Sequence, residues 1–249
     1  MFATVAAKQE SCARGRAKPY RLSAIVALLS LTAPPLHADQ LTEIGHQIFE
    51  HGSGGDASAA GCSSCHGSHG EGNQFGGIPK LAGFDSFYIT RQLHGFKSGI
   101  RTNPIMSPYA SALDDHQISA VAAYIATLPD VRADSRAVSQ DERVSGGQAK
   151  ADAAPPLVRD GDPTRGIPAC ATCHGAVGDG YATAPALAGQ SADYLARTLL
   201  AWRNGKRPEG PDYFMSLISP RLTRGEIEAL SAYYADLARP VQHSSGQQP

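Results

Sequence analysis

Cys62-Ser63-Ser64-Cys65-His66, which recurs as Cys170-Ala171-Thr172-Cys173-His174, decides how the rest of this 249-residue chain is read. Each copy places two thiols three positions apart and a histidine directly after the second. C-x-x-C-H is the attachment sequence of c-type haem. The thiols bond to the two vinyl-derived carbons of the porphyrin, and the adjacent imidazole reaches the iron. A redox dithiol needs no histidine there, and a zinc module would not divide its two C-x-x-C pairs between separate repeats. The pattern predicts two covalently bound haem c groups, attached through Cys62, Cys65, Cys170 and Cys173, with His66 and His174 as iron ligands.

Outward from the two motifs the chain repeats itself. Pro79-Lys80-Leu81-Ala82-Gly83 corresponds to Pro185-Ala186-Leu187-Ala188-Gly189 at an offset of 106, and Tyr88, Leu93, Phe96 and Gly99 meet Tyr194, Leu199, Trp202 and Gly205 at the same offset. Met106, Leu113, Ile118 and Tyr124 meet Met215, Leu222, Ile227 and Tyr233 at 109. The chain has 3 methionines, and the two besides Met1 are Met106 and Met215, 40 residues after His66 and 41 after His174. A core gap-filler is the usual role of methionine. One per repeat, in register behind the haem motif, instead points to Met106 and Met215 as the sixth iron ligands. A thioether is soft and neutral and raises the potential relative to a second histidine. Iron held by His and Met has no open position, so electron exchange is expected and substrate chemistry is not. Both methionines sit in stretches that read as loops.

The secondary structure reads as helical. Leu41, Ile44 and Ile48 recur at helical spacing over 41–50. Asp85 or Ser86 can cap a helix running to about Lys97 and stopped by Gly99. Asp114 or Asp115 can cap another, with Ile118, Val121, Ala122 and Ile125 on one face and Pro129 beyond its end. The second repeat offers helices at about 192–204 and 224–237. Ahead of its haem motif Gly161, Pro163 and Pro168 leave space for no more than a short helical turn.

Residues 1–38 read as a signal peptide: Arg14, Arg16, Lys18 and Arg21 precede an apolar run, Leu22 to Leu31, too short for a membrane span. The whole chain carries 22 Lys+Arg and 23 Asp+Glu, a net charge of -1. Without residues 1–38 the count is 17 against 22, a net charge of -5. Neither figure suits a nucleic-acid partner, and no obligatory membrane span is expected in the mature form. His46, His51, His69, His94 and His116 read as surface or structural residues, and Asp114-Asp115 as helix capping. Arg203, Lys206 and Arg207 suit either haem propionates or a solvated face.

With its paired C-x-x-C-H motifs, its Pro-x-Leu-Ala-Gly segments and a methionine near position forty beyond each histidine, the chain resembles the class I c-type cytochromes, and more closely the diheme cytochrome c4 family. The resemblance implies an all-α fold of two tandem class I cytochrome c-like domains, each wrapped around a covalently bound haem, with terminal helices that cross through Gly45, Phe49 and Tyr124 in the first. It also implies that the carbonyls of Pro79 and Pro185 accept the outer N–H of His66 and His174. The expected organisation is a signal peptide (1–38), an N-terminal domain (39–130), a linker (131–158), a C-terminal domain (159–240) and a disordered tail (241–249). The expected function is periplasmic electron transfer between a respiratory quinol-oxidising complex and a terminal oxidase or reductase. The alternatives are a cytochrome subunit serving a flavoprotein or quinoprotein dehydrogenase and, disfavoured by the two methionines, a diheme peroxidase.

Overall fold

A computed structural model of the chain describes residues 38–54, 60–73, 76–129, 154–181, 184–207 and 213–237. The expected signal peptide up to residue 37, residues 130–153 and the C-terminal tail lie outside the described residues. Among the described residues the regular structure is helical, with isolated bridges at Asn73–Ile78, Asp162–Ile167 and Tyr181–Ala184.

The first half is built on a crossing of two helices. Helix α1 (Ala38–His51) turns Ile48 and Phe49 into the core, with Leu41 and Ile44 packed beside them. Its main partner is α5 (Asp115–Thr127). At the crossing a Cβ on Gly45 would fall 2.0 Å from the carbonyl oxygen of Ala120, so only glycine lets the backbones approach this closely. The Phe49 ring lies 5.3 Å from that of Tyr124. Asp114 and Gln117 start α5 with a capping box, at 2.7 Å and 2.9 Å, which satisfies two backbone donors that the first turn leaves open. Between these helices lie the one-turn α2 (Ser63–His66) and α3 (Ser86–Lys97), the latter capped by Asp85 through a 2.8 Å bond from Tyr88 N.

Met106 opens a six-residue helix, α4 (Met106–Ser111), where the sequence reads as a loop. The reason is local. Asn103 Oδ1 accepts from the backbone N–H of both Ile105 and Met106 at 2.9 Å, and Asn103 N donates to Ser107 Oγ at 3.0 Å. Pro108 sits in the first turn, where a missing N–H costs nothing.

The second half repeats this plan with one substitution. It carries α6 (Pro156–Arg159), a 3-10 turn (Pro163–Arg165), the one-turn α7 (Ala171–His174), α8 (Ala192–Arg203), α9 (Tyr213–Ile218) and α10 (Arg224–Asp236). Met215 therefore also stands within a short helix and not in a loop. The core of this half takes in Ala154 and Val158, inside the stretch read as linker. Among the described residues no long helix precedes the second haem motif. Arg165 ties this segment to α10: its Nε donates to Asp162 at 2.6 Å, and its two Nη atoms donate to Glu226 of α10 at 3.0 Å and 2.6 Å. The guanidinium holds the Glu226 carboxyl down at about 2, against the weaker opposing effect of burial. Thr164 and then Arg165 hold Asp162 at about 2 as well.

Candidate functional site

Each haem motif occupies a single helical turn. His66 N donates to Cys62 O at 2.9 Å and His174 N to Cys170 O at 3.0 Å, so the two thiols of a pair lie one turn apart on the same helix. None of the four is in a disulfide. Burial pushes the Cys62 and Cys170 thiols up to about 11. A working redox dithiol needs the opposite environment, one that depresses the thiol pKa.

The histidine rings are anchored from behind. His66 Nδ1 donates to Pro79 O at 2.9 Å, and His174 Nδ1 donates to Pro185 O at 2.8 Å. Both rings are buried, and burial lowers their pKa more than the proline carbonyls raise it. Each is then a neutral imidazole with its proton on Nδ1 and its Nε2 lone pair available to a metal.

The same backbone pattern holds both proline segments in place. Leu81 N and Ala82 N donate to Gly70 O at 2.7 Å and 3.0 Å; Leu187 N and Ala188 N donate to Gly178 O at 2.8 Å and 2.9 Å. Gly72, at φ 71°, allows the Ile78–Lys80 segment to pass, since a Cβ there would lie 2.6 Å from Lys80 N. The second loop is shorter by two residues between His and Pro. The difference is absorbed in a tighter hairpin, bridged at Tyr181–Ala184 in place of Asn73–Ile78. The ring-to-carbonyl bond keeps its length.

In the first half these residues surround a cavity of about 420 Å³. Cys62, Cys65, His66, Pro79 and Met106 all line it, and Ile48, Leu81, Phe84, Ile89, Leu93, Val121 and Ile125 supply apolar wall. The second half completes that wall with Tyr194, Arg197, Thr198, Ala201, Lys206 and Arg207. Two thiols, one imidazole and one thioether around an apolar space, with guanidinium groups at its margin, fit a porphyrin that carries two carboxylates.

The basic residues at that margin form a cross-half cluster. Arg101 Nη1 and Arg207 Nη2 both donate to Gln92 Oε1, at 2.7 Å and 2.8 Å, and Arg101 Nη2 donates to Tyr194 OH at 3.2 Å. Arg207 is buried against the Trp202 ring, 4.0 Å from its centroid. Burial alone would raise the Tyr194 pKa, but Arg101 and Arg207 more than offset it and leave the phenol below its usual range.

Of the three basic residues singled out in sequence, Lys206 and Arg207 line the cavity, while Arg203 points elsewhere and donates to Leu222 O at 2.6 Å. None of His46, His51, His69, His94 and His116 lines it. Among the described residues no further group of three or more His, Cys, Asp or Glu side chains is placed to hold a metal. Sequence reasoning missed Gln92, Arg101 and Tyr194 as site residues. The signal for Arg101 was present, because it stands at the repeat position of Arg207, again at an offset of 106.

The cytochrome c sequence profile matches residues 45–129 and 168–238. The thiosulfate dehydrogenase electron acceptor of Stutzerimonas stutzeri (strain A1501) is 38% identical over 223 residues, covering 89% of this chain and 95% of that protein. Cytochrome c4 of Pseudomonas aeruginosa is 35% identical over 202 residues, 79% of this chain and 93% of the relative. Two solved structures are also similar. Reduced recombinant cytochrome c4 from Pseudomonas stutzeri has a TM-score of 0.59 at 26% identity, covering 79% of this chain and 98% of that one. Thiosulfate dehydrogenase (TsdBA) from Marichromatium purpuratum has a TM-score of 0.64 at 34% identity over 80% of this chain, which spans only 40% of that chain's length.

Proposed function

Since this chain belongs to the diheme, cytochrome c4-like family of cytochromes c, we propose that it is an exported one-electron carrier whose two haems are each held between a histidine and a methionine, His66 with Met106 and His174 with Met215. It is an electron carrier with two covalently bound haem c groups. The single observation that carries the reading for His66 and Met106 is the first-half cavity, whose wall includes both thiols, the buried imidazole and the one methionine of that repeat, and the sequence repeat extends it to His174 and Met215.

Bound haem supplies an iron that cycles between two oxidation states one electron apart. The protein's part is to hold His66 and His174 neutral and fixed through Pro79 and Pro185, and to offer thioethers that favour the reduced ion. Held by His66 with Met106 and by His174 with Met215, the haems would supply electron exchange and would offer no binding site to substrate or peroxide. The organisation we propose is a signal peptide over 1–38, cytochrome domains over 39–130 and from about 154 to 240, since Ala154 and Val158 pack into the second core, and a tail over 241–249. Among the described residues no helix is long and apolar enough to cross a membrane.

We read the electron donor as a dehydrogenase, specifically one that oxidises thiosulfate, on the strength of the relative that matches this chain over nearly its full length. The likeness to cytochrome c4 supports a carrier that is not tied to a dehydrogenase, and transfer between a quinol-oxidising complex and a terminal oxidase or reductase is the second reading. Stopped-flow mixing separates them. Oxidised protein should be reduced by thiosulfate only when thiosulfate dehydrogenase is present, and faster than by a quinol-oxidising complex; the reverse order favours the respiratory shuttle. The ligand reading is tested by a pyridine haemochrome assay, expected to give two haems per chain, and by a methionine-to-iron charge-transfer band in the oxidised spectrum. One haem, or no such band together with ready cyanide binding, contradicts it.

A further inference from the structure

The peptide that joins Pro79 to Lys80 is hydrogen-bonded at both ends of its dipole. Its carbonyl oxygen accepts from His66 Nδ1 at 2.9 Å, and its N–H donates to Gln190 Oε1 at 2.9 Å. Gln190 belongs to the second half of the chain. It is 1% exposed, its Nε2 donates to Lys80 O at 2.9 Å, and its Oε1 accepts a second bond, from Ser191 N, at 3.0 Å. Lys80 is buried too, with Nζ donating to Ala188 O at 3.3 Å. The repeat does not return the arrangement. Ala186 stands at the position of Lys80 and Phe84 at that of Gln190, so the first half has no amide side chain at the matching place to face the Pro185–Ala186 peptide.

A peptide is conjugated, so a bond given at N–H increases electron density on the oxygen, and the effect is larger where no water intervenes. We propose that Gln190 is a positioning residue for the iron ligand of the other half: by polarising the 79–80 peptide it strengthens the Pro79 carbonyl as acceptor, makes His66 more basic and lowers the potential of the N-terminal haem. This rests on His66 being an iron ligand. A more basic axial ligand favours the ferric ion, the direction expected of hydrogen bonds behind a metal-bound histidine. The N-terminal haem thus senses whether the second half is seated against it, while among the described residues the C-terminal haem has no matching connection.

The test is a spectroelectrochemical titration of the intact diheme protein, with the two haems resolved by the hyperfine-shifted NMR signals of their axial methionines. Gln190→Leu removes the acceptor and should shift the N-terminal haem toward the reduced form by threefold or more in its equilibrium, tenfold being 59 mV for one electron. Gln190→Glu offers a stronger acceptor and should shift the same haem the other way. In Gln190→Leu the C-terminal haem should move less than the N-terminal one. Loosened packing would move both variants in the same direction, and that result overturns the proposal. So does a larger shift of the C-terminal haem in Gln190→Leu, or no shift in either variant. If Gln190→Leu does not fold, Gln190→Glu decides alone: an unchanged or raised N-terminal potential is fatal to the idea. The ligand reading beneath it is checked separately in the unmutated protein, where a high-spin N-terminal haem would show that His66 and Met106 are not both bound.

Discussion

At position 45 a side chain has nowhere to go. A methyl group there would meet the Ala120 carbonyl oxygen of α5 at 2.0 Å and Tyr124 Cβ at 2.8 Å, and a methyl has no rotamer that relieves the contact. Gly45→Ala should destabilise the first half by about 1–3 kcal/mol, the usual cost of overpacking, measured as a lowered urea midpoint of the haem-loaded protein with an unchanged slope. The proposed iron ligands make a second prediction at this scale. Met106→His should lower the potential of one haem and remove its methionine-to-iron charge-transfer band, leaving the other haem unaltered; two unchanged potentials would contradict the assignment. Residues of this kind were legible in the sequence because chemistry dictates both their type and their spacing. Gln190 and Lys80 were not. Their roles depend on what faces them across the two halves, and the repeat, which guided the rest of the reading, breaks its symmetry at these two positions.

Among the elements, the long helices could be read from their caps. Asp85, Asp114, Ser191 and Thr223 each accept from a backbone N–H within the first turn of the helix that follows. The first methionine helix, α4, escaped because Asn103 does its capping from three residues away, past a proline, in a stretch whose composition is that of a loop. The start of the second half escaped for another reason: a clamp of Arg165 on Asp162 and Glu226 has no periodicity to detect. That clamp makes acid stability a local property. The folded carboxyl of Glu226 sits at about 2, below its ordinary 4.5, so its contribution is complete above the unfolded pKa and lost as pH falls from there through about 2. Unfolding of the second half followed against pH should show this loss. Glu226→Gln should flatten that acid limb, and should also lower stability at neutral pH by leaving the guanidinium with a weaker partner.

Viewed whole, the chain has two cores but shares one of its haem sites between them. Tyr194, Arg197 and Arg207 of the second half line the cavity of the first, and Arg197 donates to Gly77 O across the boundary at 2.8 Å. A haem-loaded fragment of residues 39–130 should therefore melt below the same half in the full chain, by at least about 4–8 °C, the shift that 1 kcal/mol produces in a domain of this size. Calorimetry of both proteins checks this, and equal melting temperatures would show that the shared wall carries no stability. The crossing of α1 with α5 also has a bearing on time. It joins the first and last helices of the first half, so as the chain emerges residue by residue, nothing can lock that half until its final helix has been made. Closing a loop that long slows the search for native contacts. An unclosed first half would leave Cys62 and Cys65 accessible, and the interval before α5 docks is the one in which its haem would enter without first prising two packed helices apart.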